Sequence, residues 1–115
     1  MPTANWIKIP VFMKHLLKQI HRKKDWDIIT NVASIHAQFE QIHPFGDGNG
    51  RIGRLLIHAM LLGTNLPPAV IREQNRQKYF ACLQKAQLKD DFTLLEDFLC
   101  DGLEIGFQIL ERSFP

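Results

Sequence analysis

Twelve residues in the middle of the chain, from His43 to Arg54, carry side chains that could hold a phosphate chain beside a proton acceptor. They read HPFGDGNGRIGR, which brings together a histidine, an aspartate, a Gly-Asn-Gly turn and two arginines. A motif of one or two glycines is a weak signal for a phosphate site, but here all of these residue types coincide in one short segment. We therefore expect the chemistry of this 115-residue chain to lie in this segment.

Gly48, Asn49 and Gly50 stand where we expect the third helix to begin. The first amides of a helix have no partner within it and lie at the positive end of the helix dipole. Glycine lets the backbone adopt a positive φ and lets a bulky anion approach closely, and the Asn49 side chain can donate a further hydrogen bond. These properties predict an anion cradle. The alternative is a plain Asn-Gly turn at a helix start.

Arg51 and Arg54 are three residues apart, so they share one face of the first turns of that helix. Guanidinium groups suit phosphate oxygens and keep their charge, which predicts contacts with the outer phosphates. The alternative is an ordinary solvated helix face. Asp47 would repel a polyphosphate unless a cation intervened, so we expect Mg²⁺ between them. The alternative role of Asp47 is the N-cap of the third helix.

His43 is the candidate general base, because histidine titrates near neutral pH and can take a proton from a hydroxyl. Pro44 restricts the chain after it, and Phe45 is expected to anchor the loop in the core. The alternative role of His43 is to cap or pack the end of the second helix. His36 and His58 lack an obvious third ligand, so a zinc site is not predicted. Together, the residues of this segment predict an enzyme that uses a nucleotide.

Apolar residues recur at a helical period along the chain, whereas the alternation typical of strands never persists. The pattern predicts an all-α fold, a compact bundle of about five helices with the HPFGDGNGRIGR segment between the second and third. Thr93 and Glu96 form a predicted capping box, and Gly102 and Gly106 are expected to weaken the last helix. The expected helices run from Pro10 to about Lys23, from after Asp25 to about His43, from Gly48 or Asn49 to Gly63, from about Arg72 to Leu88, and from Thr93 onward.

One face of each predicted helix should pack in the core. The expected core positions include Phe12, Met13, Leu16, Leu17 and Ile20 in the first helix, Ile52, Leu55, Leu56, Ala59, Met60 and Leu61 in the third, and Phe80, Leu83 and Ala86 in the fourth. Cys82 and Cys100 lie in apolar surroundings without metal-ligand spacing, so both are predicted to be buried free thiols.

The composition limits the class of protein. A chain of 115 residues, 45% hydrophobic and 23% charged, predicts one globular domain over residues 1–115. Its formal net charge of +2 is too small to predict a nucleic-acid partner. No stretch approaches the roughly 20 apolar residues of a membrane span, and the first ten residues do not resemble a signal peptide. We therefore expect a cytoplasmic protein with no membrane partner.

HPFGDGNGRIGR matches every position of the signature HxFx(D/E)GNGRxxR, so the chain resembles the Fic (Fido) family of protein adenylyltransferases. An apolar helix before IHPF, then LPPAVI, a YF pair and a DD…L…FL segment extend the similarity from Ile9 to Leu110. The resemblance implies a helical Fic fold and transfer of AMP from ATP to a serine, threonine or tyrosine hydroxyl of a target protein.

The resemblance also implies a role for each matching residue. By position, His43 would deprotonate the target hydroxyl, and Asp47 would hold Mg²⁺ on the phosphates of ATP. The phosphates would be bound by Gly48, Asn49, Gly50, Arg51 and, at the γ-phosphate, Arg54. The adenine would be contacted by Tyr79, Phe80 and Gln87, although an aromatic stripe at helical spacing is often part of a core.

Two features of the family are not found in this sequence. The inhibitory motif (S/T)xxxE(G/N) is not matched at Glu96, Glu104 or Glu111, so a separate inhibitory, antitoxin-like protein is an expected partner. Only nine residues precede Pro10, too few for the flap that clamps the target, so we expect the family core alone.

Three alternatives remain open. The transferred group could instead be UMP or phosphocholine. The motif determines how phosphate is bound, but it says little about the base or the leaving group of the donor. Removal of AMP is less favoured without the inhibitory glutamate. A non-catalytic or weakly active module that binds a nucleotide or a partner protein is the alternative from another class.

Overall fold

The computed structural model describes residues 7–21, 28–44 and 47–113, and within these ranges the regular structure is helical. The helices are α1 (Ile9–His21), α2 (Ile28–Ile42), α3 (Asn49–Leu62), a short 3-10 helix (Glu73–Asn75), α4 (Arg76–Lys89) and α5 (Thr93–Ser113). The all-α prediction is confirmed, and the Gly-Asn-Gly segment lies between α2 and α3 as expected. None of the described helices combines the length and the apolar content needed to cross a membrane.

Helix α2 is the centre of the bundle, because it packs against α1, α3, α4 and α5. Its buried positions recur every three or four residues, as expected of a helix that packs against several neighbours, and they are Val32, Ala33, Ile35, His36, Ala37, Phe39 and Ile42. The other helices each contribute fully buried side chains to the same core, namely Leu16, Ile57, Leu61, Tyr79, Leu95 and Leu99. The end of α2 leads directly into the site, so this core sets the position of His43.

The predicted inner faces of α3 and α4 were partly wrong. Ile52 and Leu55 are 38% and 64% exposed, whereas Gly53 and Ile57 of the same helix are buried. The reason is that α3 approaches α2 through Gly53, which turns the larger side chains at positions 52 and 55 outward. In α4, Phe80 is 49% exposed, because its neighbour Tyr79 takes the core position and reaches His36 of α2.

Smaller corrections apply to α1, α5 and one cysteine. Phe12 and Leu17 of α1 are 41% and 50% exposed rather than buried. Cys100 is exposed, while Cys82 is a buried free thiol as predicted. The capping box was wrong, since α5 begins at Thr93 itself and the Thr93 N–H donates to an Asp91 carboxylate oxygen at 3.1 Å.

The two glycines of α5 do not end the helix, which continues to Ser113. A Cβ at Gly106 would overlap the carbonyl oxygen of Pro68, and one at Gly102 would lie 3.0 Å from the carbonyl oxygen of Val70. The Val70 N–H also donates to the Gly102 carbonyl at 3.0 Å. These glycines therefore let the connection between α3 and α4 lie directly on α5, and this packing offsets their low helix propensity.

The neighbouring leucines Leu61 and Leu62 give a matched test of the core. Leu61 is 0% exposed and Leu62 is 72% exposed. Leu61→Ala should lower the free energy of unfolding by about 2–5 kcal/mol, because it leaves a cavity. Leu62→Ala should change it by less than about 0.5 kcal/mol. Urea unfolding of both variants checks this, and equal losses would show that α3 is packed in another orientation.

Candidate active site

His43 follows the last residue of α2 and adopts a positive φ of 52°, which is uncommon for a residue with a side chain. Its N–H donates to the Phe39 carbonyl at 3.1 Å, which closes the end of the helix. The residue is exposed, so its ring is open to an incoming group. The predicted end of the second helix is confirmed, and Phe45, predicted to anchor the loop, lies outside the described residues.

Gly48 is the N-cap of α3, with a φ of 79° that favours glycine. Its carbonyl accepts the Ile52 N–H at 3.0 Å, and no side chain caps the helix. The alternative of Asp47 as the N-cap was therefore wrong, and its exposed carboxylate lies just before the cap. Asn49 is only 4% exposed, so its side chain faces the protein interior. The positive end of the α3 dipole therefore has no side-chain cap.

Both arginines of the motif lie beside the glycines at the start of α3. A Cβ placed on Gly48 would lie 3.5 Å from Nη2 of Arg51, and one placed on Gly50 would lie 3.2 Å from Nη1 of Arg54. Arg51 is exposed, and Arg54 is partly buried. The two guanidinium groups and the uncapped helix end therefore form one electropositive site. That this site is an anion cradle stays a prediction.

A buried polar cluster behind Arg54 was missed in the sequence. His36 and Glu40 lie one turn apart on α2, and a hydrogen bond joins Nε2 of His36 to the Tyr79 hydroxyl. A Cβ on Gly53 would overlap Oε1 of Glu40 and lie 3.2 Å from Cε1 of His36. The only sequence signal was a polar pair at a spacing of four residues on an otherwise apolar helix face.

The surroundings favour the neutral form of each of these groups. Burial raises the pKa of Glu40 to about 7, although the Arg54 cation opposes the shift. Burial lowers the pKa of His36 to about 4. A hydrogen bond with the Gly53 backbone opposes this shift, and the Arg54 cation adds to it. Burial also raises the pKa of Tyr79 well above its usual range, Glu40 adds to this, and Arg54 opposes it. Near neutral pH, His36 and Tyr79 are therefore neutral and Glu40 is only partly ionised, so Arg54 carries the one full charge among these four groups.

The three residues predicted to contact adenine have different surroundings. Tyr79 is 2% exposed and is held by His36. Phe80 and Gln87 line a pocket of about 250 Å³ together with Glu40, Leu83 and Gln84. The Gln87 amide donates to the Ala37 carbonyl at 2.8 Å, which fixes its side chain against α2.

No group of three or more His, Cys, Asp or Glu residues within residues 7–21, 28–44 and 47–113 could hold a metal ion. Asp47 is a single exposed carboxylate beside the anion cradle. Mg²⁺ is commonly held by one or two carboxylates and the phosphates of a substrate, rather than by a complete protein cage. The observed arrangement therefore fits Mg²⁺ delivered with a nucleotide.

Known proteins of one family are similar to this chain. A family model described as Fic/DOC family matches residues 1–61 of the chain. A probable protein adenylyltransferase of Aquifex aeolicus is 35% identical over 79 residues, which are 69% of this chain and 24% of that protein. The protein adenylyltransferase Fic of Aedes aegypti is 34% identical over 98 residues, which are 84% of this chain and 19% of that protein.

A solved structure extends the similarity to nearly the whole chain. The crystal structure of a Fic domain containing signaling protein from Bacteroides thetaiotaomicron has a TM-score of 0.71 and 26% sequence identity to this chain. The match covers 96% of this chain and 45% of that one. The chain therefore spans less than half the length of these three relatives.

The contact at Gly53 gives the second prediction. Gly53→Ala should lower the free energy of unfolding by about 1–3 kcal/mol, because the new methyl group overlaps the Glu40 carboxylate. The same change at Gly50 should not, since the end of the Arg54 side chain near it lies 3.2 Å away, whereas Gly53 faces the buried Oε1 of Glu40 and the buried His36 ring. Adding Glu40→Ala to Gly53→Ala should recover stability, with a coupling of about 0.5–3 kcal/mol in a double-mutant cycle. Additive losses would contradict the contact.

The pKa of Glu40 gives the third prediction. Its folded pKa of about 7 exceeds the ordinary value of 4.5, so the folded protein binds more protons than the unfolded chain between these pH values. The contribution of Glu40 to stability is therefore complete below pH 4.5 and is lost as the pH rises to about 7. His36 changes stability in the opposite direction, because its lowered pKa makes stability fall from pH 6.5 towards pH 4.

The effect of Glu40 on stability is separated from that of His36 by comparing the wild type with a variant that lacks only the Glu40 carboxyl. Urea midpoints of the wild type and Glu40→Gln should be compared from pH 4.5 to 8, with Glu104→Gln, exposed on α5, as the control. The stability of Glu40→Gln relative to the wild type should rise between pH 4.5 and about 7 and then level off. A constant difference, like the one expected for the control, would place the Glu40 carboxyl in water.

Proposed function

The chain belongs to the Fic/DOC family, and on that premise we propose that it transfers AMP from ATP to a serine, threonine or tyrosine hydroxyl of another protein. The observation that carries the proposal is the convergence of Arg51 and Arg54 on the glycines at the uncapped start of α3. Relatives named protein adenylyltransferases support the nucleotide and the protein target. The core shared by α1 to α5 supports one Fic domain over residues 1–115.

In this proposal the cradle holds the phosphates of ATP. The N-terminal amides of α3 and the helix dipole face the phosphate oxygens, and Gly48 and Gly50 let them approach the backbone. Asn49 is buried in the first turn of α3, so its proposed contribution to phosphate binding is its backbone N–H rather than its side chain. Arg51 supports the phosphates from the exposed side, and Arg54 binds the outer phosphate.

His43 is proposed to act on the attacking hydroxyl. It takes the hydroxyl proton while the oxygen attacks the α-phosphorus of ATP. The bond between the α-phosphorus and the bridging oxygen breaks, and its electron pair leaves with pyrophosphate. The exposure of His43 and the backbone hydrogen bond that ties it to the end of α2 support this role, because a base must be open to the target and held in place.

Asp47 is the residue that would hold Mg²⁺ on the phosphates, since it is the exposed carboxylate next to the cradle. When bound, the ion neutralises phosphate charge and so favours departure of the leaving group. Without an ion the carboxylate and the polyphosphate would repel each other.

Phe80 and Gln87 are proposed to contact the adenine in the pocket of about 250 Å³ beside α4. The exposed ring of Phe80 offers a stacking face, and Gln87 is held by its bond to Ala37. Tyr79 is proposed to support the Phe80 ring rather than to contact the adenine itself, because its own ring is buried. The centroids of the two rings lie 5.2 Å apart. A separate inhibitory protein is a further proposal, and it rests on the inhibitory motif not being matched in this sequence.

The fourth prediction tests the reaction. Incubation with α-labelled ATP and Mg²⁺ in a cell lysate should label protein with the wild type and with the control His15→Ala, on the exposed face of α1. His43→Ala should reduce labelling by at least about 100-fold, the usual contribution of a general base. Its affinity for ATP should stay within about twofold, because His43 acts on the hydroxyl.

Two outcomes would contradict this account. Equal labelling by His43→Ala and His15→Ala would exclude His43 as the base. Nucleotide binding without labelling of any protein, the chain itself included, would instead favour a binding module. Labelling from UTP rather than ATP would change the transferred group and leave the proposed handling of phosphate in place.

A further inference from the structure

A second electropositive pocket adjoins Arg54 on the side of α4. It has a volume of about 170 Å³ and is lined by Arg54, Ile71, Arg72, Glu73, Arg76 and Tyr79. Three of these six side chains are arginines and one is acidic, so the lining carries a formal net charge of +2. Its volume exceeds that of several water molecules, each of about 30 Å³, and can hold a small polyatomic anion.

The pocket also lies beside the start of α4, although the first amide there is already hydrogen-bonded. The short 3-10 helix (Glu73–Asn75) leads directly into Arg76, the first residue of α4, and the Arg76 N–H donates to the Glu73 carbonyl. The start of α4 therefore offers an anion fewer free amides than an ordinary helix N-terminus. The arginines are the main groups that favour an anion in this pocket.

The acidic residue of the lining does little to cancel this charge. Glu73 lies 3.5 Å from Arg76, but their side chains are 83% and 55% exposed. An ion pair in such contact with water is weak. Arg76 also lies over the ring of Phe80, with its guanidinium carbon 5.8 Å from the ring centroid, a cation–π contact that restrains its side chain.

Arg54 connects this pocket with the phosphate cradle. Its Nη1 atom lies beside Gly50 at the start of α3, and its side chain also lines the pocket at the start of α4. An anion bound by Arg54 in the cradle can therefore move to the second pocket and stay in contact with the Arg54 guanidinium throughout. Charge-assisted hydrogen bonds from Arg72 and Arg76 would then replace the hydrogen bonds that the anion made at the start of α3.

We propose that this pocket binds the pyrophosphate released by AMP transfer, with Arg72 and Arg76 as its receiving residues. The inference rests on the proposed function, because that reaction supplies the anion. When the bond from the α-phosphorus to the bridging oxygen breaks, the electron pair stays on the leaving group. The freed pyrophosphate gains negative charge and loses its covalent tether, so a neighbouring site with further cations draws it away from the transferred AMP.

Binding of inorganic pyrophosphate, measured by calorimetry, tests the proposal. Arg72→Gln and Arg76→Gln should each weaken pyrophosphate binding by about tenfold, since each removes a charge-assisted contact. Lys78→Gln and Lys89→Gln are matched controls that remove one charge from exposed positions of α4 outside the pocket, and they should stay within about twofold. The affinity for AMP should stay within about twofold in Arg72→Gln and in both lysine variants, and Arg72→Lys should restore part of the loss. Arg76→Gln is left out of this control, because Arg76 lies over the ring of Phe80, the proposed adenine contact.

Several results would overturn the proposal. The first is a wild type that does not bind pyrophosphate. The second is a pair of arginine variants whose affinity for pyrophosphate matches that of the lysine controls. The third is a loss of AMP binding in Arg72→Gln that equals its loss of pyrophosphate binding. Thermal unfolding of each variant shows whether it is folded, and the exposure of Arg72 and Arg76 makes a folding defect unexpected.

The failure of this proposal is distinguishable from failure of the proposed function. Pyrophosphate binding that depends on Arg72 and Arg76, in a protein that transfers no AMP, would keep the pocket and reject the reaction. AMP transfer that depends on His43, with pyrophosphate affinity unchanged in both arginine variants, would keep the reaction and reject the pocket.

Discussion

The close packing of α2 against α3 at Gly53 is the constraint on which the site depends. His36 and Glu40 occupy the space that a side chain at this position would need. Helix α3 carries the glycines of the cradle at its start and Arg54 in its second turn. The position of α3 against α2 therefore sets where the glycines and Arg54 lie relative to His43, which follows α2. A larger residue at position 53 would have to displace the Glu40 carboxylate and the His36 ring, and would so disturb the packing that places the start of α3 beside the end of α2.

The same packing controls charge at the site. Glu40 lies behind Arg54, and burial favours its neutral form, so it offers Arg54 less counter-charge near neutral pH than an exposed carboxylate would. His36 and Tyr79 are joined to each other and are also neutral in this surrounding. Arg54 is thereby held among groups that leave its charge available to an anion. A fully charged Glu40 would instead compete with phosphate for the guanidinium.

The sequence predicted the helical class, the helix order and the grouping of the motif residues, because these follow from periodicity and local backbone rules. It mistook the inner faces of α3 and α4, since the rotation of a helix depends on which residue touches its neighbour. Gly53 and Tyr79 decide those rotations, and neither has a large apolar signal of its own. Glu40 was missed for a related reason, because its surroundings come from three different helices. The pocket between Arg54, Arg72 and Arg76 joins residues too far apart in sequence for a motif to reveal.

The most direct test of the central claim is a crystal structure of the chain with Mg²⁺ and a non-hydrolysable ATP analogue. The account predicts the phosphates at the N-terminus of α3, the outer phosphate on Arg54, and the α-phosphorus on the side that His43 faces. Adenine should lie beside Phe80 and Gln87. A nucleotide bound elsewhere, or phosphates at the cradle with the α-phosphorus turned away from His43, would contradict it.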